Sequence, residues 1–123
     1  MTREEARAFA ATWATAWNDR EIERVLGFFA EDVEFVSPTA LAVTGTATVR
    51  GKRALRAYWN SALSGIHSLR FTVDRVMWDA STRELAIIYV SHIDGRAKRV
   101  SENLTFGEGG LVVSAEVFHG VPA

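Results

Sequence analysis

The chain has 123 residues, 48% of them hydrophobic and 24% charged, which is enough apolar material for a packed core and excludes a disordered chain. Its net charge of -1 gives no general pull toward nucleic acid or an anionic membrane, and with no Cys there is no disulfide framework and no thiolate chemistry. No apolar run approaches the roughly 18 residues of a membrane span, and Met1 leads into a charged helix instead of a signal peptide.

The expectation is therefore one soluble, cytoplasmic domain over residues 1–123. The excess of Arg over Lys points to a GC-rich bacterial genome. Thr2 opens the first helix, with Glu5 three residues on to complete a capping box. Ala6, Phe9, Ala10, Trp13, Ala14 and Trp17 form one stripe at helical spacing. Asn18-Asp19 breaks this helix and is expected to cap a second one, which buries Ile22, Val25, Leu26 and Phe29. Val33 to Ser37 alternates as a short strand that stops at Pro38, with Val33, Phe35 and Ser37 inward. Thr39 to Val49 carries only a weak strand pattern and is read as a short hairpin or a loop over a pocket mouth.

Gly51 begins a third helix, with Leu55, Tyr58, Trp59, Ala62 and Leu63 as its apolar side and Gly65 as its stop. Arg50, Lys52, Arg53 and Arg56 crowd its start, either as a solvated basic face or as an anion site. From Leu69 onward the pattern is strand. The apolar phase moves from Leu69, Phe71 and Val73 to Val76 and Trp78, which predicts a bulge near Asp74-Arg75. The next strand runs Glu84 to Ile93, and Asp94-Gly95 is a hairpin turn signal.

In the strand Arg99 to Phe106 the odd positions are polar, while Val100, Glu102, Leu104 and Phe106 share the core face. A carboxylate on that face is costly unless it is hydrogen-bonded, paired or kept protonated, which makes Glu102 the first candidate for function. The alternative is a bulge or register shift that turns it to solvent. A two-residue turn sets Ile87 opposite Glu102 and Tyr89 opposite Val100, and a four-residue turn sets Tyr89 opposite Glu102. Either brings a phenol within reach of the carboxyl group, whereas a three-residue turn does not. The last strand, Leu111 to His119, is expected to turn Leu111, Val113, Ala115, Val117 and His119 inward and Val112 and Phe118 outward. Outward apolar residues here and at Ile88 and Val90 suggest that a second copy covers the sheet. His67, His92 and His119 are scattered, so no metal site is read, and no nucleotide fingerprint, phosphate loop or nucleophile elbow is present.

The order is helix, helix, short strand, helix and four long strands. With Trp13…Ala16-Trp17-Asn18, Val25-Leu26…Phe29-Ala30-Glu31-Asp32-Val33, Ser37-Pro38 and Val49-Arg50-Gly51…Leu55…Tyr58-Trp59, it resembles the nuclear transport factor 2-like superfamily. It is similar in particular to the SnoaL-like polyketide cyclases and ketosteroid isomerases. The resemblance spans Phe9 to His119 and implies an α+β cone, a curved antiparallel sheet wrapped around three helices from the N-terminal half. Its interior would be the pocket of a homodimer, and no cofactor or metal is implied. In the isomerase pattern Ser37 falls where the general-base aspartate stands and cannot replace it. Trp13 falls at the oxyanion-hole tyrosine, Trp59 at a pocket tyrosine, Glu102 at the protonated oxyanion-hole aspartate, and His119 at an indole. Together with the inward residues, this makes Glu102 and His119 the candidate catalytic pair. Trp13, Trp17, Phe35, Ser37, Tyr58, Trp59 and Tyr89 are the candidate ligand contacts. The expected activity is cofactor-independent isomerisation or cyclisation of a small apolar carbonyl compound, with a non-catalytic ligand-binding or interaction module as the alternative. Neither nucleic acid nor membrane is an expected partner.

Overall fold

A computed structural model describes residues Met1–Ala123. Helix α1 spans Arg3–Asn18 and α2 Ile22–Leu26, followed by strand β1, Phe29–Val36. Helix α3 (Pro38–Thr44), strand β2 (Thr48–Arg50) and helix α4 (Lys52–Ser64) come next. Four long strands complete the chain: β3 (Leu69–Asp79), β4 (Glu84–Ile93), β5 (Arg96–Phe106) and β6 (Val112–Pro122). The sheet order is β2-β1-β6-β5-β4-β3. All neighbours are antiparallel except β1 and β6, so the sheet is mixed. It is the expected α+β cone, with one more short helix and with one parallel pair in a sheet expected to be wholly antiparallel.

Helix α1 starts at its capping box: Thr2 Oγ1 accepts from Glu5 N, and Glu5 Oε1 accepts from Thr2 N. Its buried Ala6, Ala10, Ala14 and Ala16 let the backbone lie close to its neighbours, while Trp13 and Trp17 fill the space beyond. Asp19 ends α1 but does not cap α2, whose N-terminal residue Glu21 makes no side-chain cap. Asn18 instead reaches the outer edge of β3. Its Nδ2 donates to Phe71 O at 3.1 Å, and its Oδ1 accepts from Phe71 N at 2.7 Å. That side chain serves two backbone groups which an edge strand leaves without a ladder partner.

Helix α2 stops at Leu26, so Phe29 is the first residue of β1 and not part of the helix. Phe29 fits the helical spacing, but Phe28 O accepts from Val112 N and draws the chain into the sheet there. The open segment 39–49 divides into α3 and β2. Ser37 Oγ accepts from Thr39 N, Pro38 sits in the first turn, and Gly45 ends α3 at φ 86°.

The pairing of β3 with β4 shifts between Val73 and Arg75, as the change of phase predicts. Ile93 pairs with Arg96 across the two-residue turn Asp94-Gly95, whose φ values of 50° and 81° are those of a type I′ hairpin. In β6 the expected phase fails at the start. The pairing with β5 shifts between Thr105 and Phe106, so Phe106 faces Val112. Val112 is therefore fully buried, and Leu111 and Val113 are 42% and 37% exposed. Ala115 and Val117 are buried as expected, while His119, on the same face, is exposed where it borders the cavity.

Replacing Asn18 with Ala removes both bonds to Phe71 and should lower unfolding free energy by about 2 kcal/mol, read as a lower urea midpoint with an unchanged slope.

Candidate functional site

The inner face of the sheet, α4 and the end of α1 enclose a cavity of about 130 Å³. Alternation along β5 points Lys98, Val100 and Glu102 into it, and β4 contributes Tyr89 and Ser91. Val117 and His119 come from β6, Phe35 and Ser37 from the end of β1, and Tyr58 and Trp59 from one side of α4. Aromatic edges meet aromatic faces along its wall: Trp17 and Trp59 lie 4.9 Å apart and Phe35 and Trp59 5.5 Å apart, both edge-on.

Glu102 is 5% exposed and is the one buried acid of the chain. The two-residue turn places it opposite Ile87, with Tyr89 one pair along the same face. Tyr89 Oη donates to Glu102 Oε1 at 3.0 Å, which leaves Oε2 to the cavity. Burial disfavours the carboxylate and raises the Glu102 pKa to about 7, against the opposing pull of the Tyr89 hydroxyl. Burial also raises Tyr89 well above the usual phenol value, and the Glu102 charge adds to the effect. Tyr58 is raised by burial, while the Ser37 and Thr39 hydroxyls act in the other direction.

Of the expected residues, the fold brings Trp17, Phe35, Ser37, Tyr58, Trp59, Tyr89, Glu102 and His119 to one cavity. Trp13 is not among its lining. It is fully buried one helical turn behind Trp17, stacked on Phe71 at 5.6 Å and edge-on to Tyr89 at 5.1 Å. Its Nε1 has no hydrogen-bond partner. His119 pairs across the sheet with Val100, whereas Glu102 pairs with Val117, and the imidazole makes no bond to the carboxyl group. Its neighbour is Lys98, with Nζ 3.5 Å from His119 Nδ1. Burial, then the Lys98 charge, lowers the His119 pKa and favours neutral imidazole. Ser37 is buried and its hydroxyl oxygen accepts from Thr39 N as the cap of α3.

Lys98 and Ser91 were not singled out from sequence. Both keep the inward phase of Glu102 and Tyr89, and continuing that phase toward the turn would have found them. Among the basic residues around α4, Arg50 pairs with Glu34, and Arg56 Nε and Nη2 donate to Glu23 at 2.7 and 3.0 Å. No three His, Asp or Glu side chains converge as metal ligands, and His67 and His92 are exposed. No helix is long and apolar enough to cross a membrane.

The family model of the SnoaL-like domain matches residues 10–115. The chain belongs to the SnoaL-like family. None of the curated proteins matches it. Among solved structures, a SnoaL-like protein of unknown function from Burkholderia thailandensis is 28% identical, with 98% of each chain covered and a TM-score of 0.85. A Kribbella flavida protein provisionally assigned as a ketosteroid isomerase is 20% identical over 97% of this chain and 80% of its own, with a TM-score of 0.74. TerC, co-crystallised with polyporic acid, is 15% identical over 94% and 92%, with a TM-score of 0.77. The last two establish a shared fold.

In this SnoaL-like protein the raised Glu102 pKa ties stability to pH. Folded Glu102 holds its proton up to about 7, whereas the ordinary value is 4.5. The folded state therefore binds more protons between these values, and stability falls as pH rises through them. The shift corresponds to about 3 kcal/mol, present below pH 4.5 and lost above pH 7. Urea unfolding near pH 5 and near pH 8 should show wild type losing about that much relative to Glu102→Gln, which lacks the titration.

Proposed function

We propose that the cavity takes a small, largely apolar organic molecule bearing a carbonyl group. On this reading the protein is a cofactor-independent isomerase or cyclase in which Glu102 moves a proton. The observation that carries it is one carboxyl group, bonded to Tyr89 and poised near neutrality, beside an otherwise mostly apolar space. An apolar cavity of about 150 Å³ accommodates benzene, so about 130 Å³ is on the scale of a single ring.

Two modes of action share this geometry. Protonated Glu102 donates a hydrogen bond to the substrate oxygen and stabilises an enol or enolate as charge develops there. Ionised Glu102 takes a proton from the carbon beside the carbonyl and returns it at another carbon, while the Tyr89 hydroxyl stabilises the carboxylate. His119, held toward its neutral form at one side of the cavity, is a second acceptor for a substrate proton.

A binding role without catalysis is the second reading. Ser37, which stands where an isomerase base would lie, carries no carboxyl group, and Glu102 is the only acid in the cavity lining. The co-crystallisation of TerC with polyporic acid supports an organic occupant under either reading. We further propose a cytoplasmic homodimer joined through the outer face of the sheet, where Met77 and Phe118 are each 53% exposed. No nucleic-acid or membrane partner is proposed.

The test is conversion of cyclohex-3-enone to its conjugated isomer, a one-ring probe of enolisation followed by absorbance. Glu102→Gln should lower kcat by about 100-fold, the loss typical of a general acid or base. Glu34→Gln, on the outer ion pair with Arg50, should leave it unchanged. Equal rates in both variants would remove the catalytic reading.

A further inference from the structure

The inner face of β5 carries a second polar group that the proton-transfer reading does not use. Lys98 lies four residues from Glu102 on the same face, about 13 Å along the strand backbone. It is half-buried and joins none of the protein's ion pairs. The other cations of β5 are engaged or point elsewhere: Arg99 pairs with Asp74 at 2.8 Å, and Arg96 is exposed at the hairpin turn. Lys98 is therefore the only Lys or Arg in the cavity lining.

Its surroundings hold it there. Nζ lies 3.5 Å from His119 Nδ1, on the opposite strand. Ser91 pairs directly with Lys98, is 6% exposed, and has a hydroxyl that makes no hydrogen bond to the protein. An ammonium, an imidazole nitrogen and an unused hydroxyl thus converge at one end of an apolar cavity. Glu102 lies farther in, with the Tyr89–Val100 layer between it and the Lys98–Ser91 end. A hydroxyl that opens to the cavity without a protein partner and a cation without a counter-ion suit a ligand that accepts hydrogen bonds and carries negative charge.

We propose that Lys98 and Ser91 form an anion subsite, and that the cavity selects a one-ring organic acid whose carboxylate lies on Lys98 Nζ and the Ser91 hydroxyl. The ring then occupies the apolar space and directs its far side toward Glu102. This rests on the reading that the cavity binds an organic molecule, and it names the class: a small cyclic or aromatic carboxylate, with the reacting carbonyl at the end away from the acid group. Lys98 is a specificity residue here, since it fixes orientation and takes no part in the proton step.

Benzoate and benzamide are planar isosteres that differ in charge, and titration calorimetry near pH 7 at low salt compares them. Wild type should bind benzoate at least about tenfold more tightly, the smaller end of what a charge-assisted bond contributes. Lys98→Met should remove that preference by weakening benzoate alone, and Lys98→Arg should retain it. Circular dichroism of the variants should match wild type. Equal binding of the two probes to wild type, or an equal loss of both in Lys98→Met, would overturn the anion subsite and leave the ligand cavity standing. Binding of neither probe at millimolar concentration would overturn both readings.

Discussion

The bond from Tyr89 Oη to Glu102 Oε1 lies inside a cluster of aromatic and aliphatic side chains, with both residues almost fully buried. A buried carboxyl group can accept several hydrogen bonds, and here one protein donor reaches it. Left ionised it would cost several kcal/mol of lost hydration, so the proton is retained to a higher pH instead. On the proposed reading, the same incompleteness is what would give the site its chemistry. An acid satisfied by three or four donors would be a fixed structural anion, while one with a free oxygen beside a cavity can exchange a proton with an occupant.

That bond depends on register. The Asp94-Gly95 turn takes two residues, both with positive φ, and so fixes every pair between β4 and β5. A slip of one residue would turn Glu102 to the outer face and bring Ser101 in. The β6 bulge at Val113 acts in the same way on the other side. It returns the strand to the phase in which Val117 and His119 meet the cavity, after Val112 has been buried at its base.

The cavity stays open because its walls are stiff. Trp17 and Phe35 in the wall, and Phe29 behind it, each meet Trp59 at ring separations of 4.9 to 5.5 Å and nearly at right angles. Rings locked edge to face cannot rotate into the space as flexible aliphatic chains could. Below them Trp13 is wedged between Phe71 and Tyr89, where it supports the phenol that serves Glu102. Its role is packing, despite the unpartnered indole nitrogen.

Local sequence determined the elements with strong periodicity or strong end signals. These were the capping box of α1, the β3 bulge, the β4–β5 hairpin and the inward position of Glu102. Each follows from spacing within some fifteen residues, where propensity and alternation act. Local spacing misled where two periods fit the same residues, as at Phe29, and where pairing with a distant strand reset the phase, as at Val112. Only the tertiary structure decided that Trp13 lies behind the wall and not in it. Only it decided that His119 meets Lys98 instead of Glu102, and that Ser91 and Lys98 share one end of the cavity. Those outcomes depend on how helices and distant strands pack against one another. Packing is set by the shapes of side chains far apart in the chain, which no local pattern encodes.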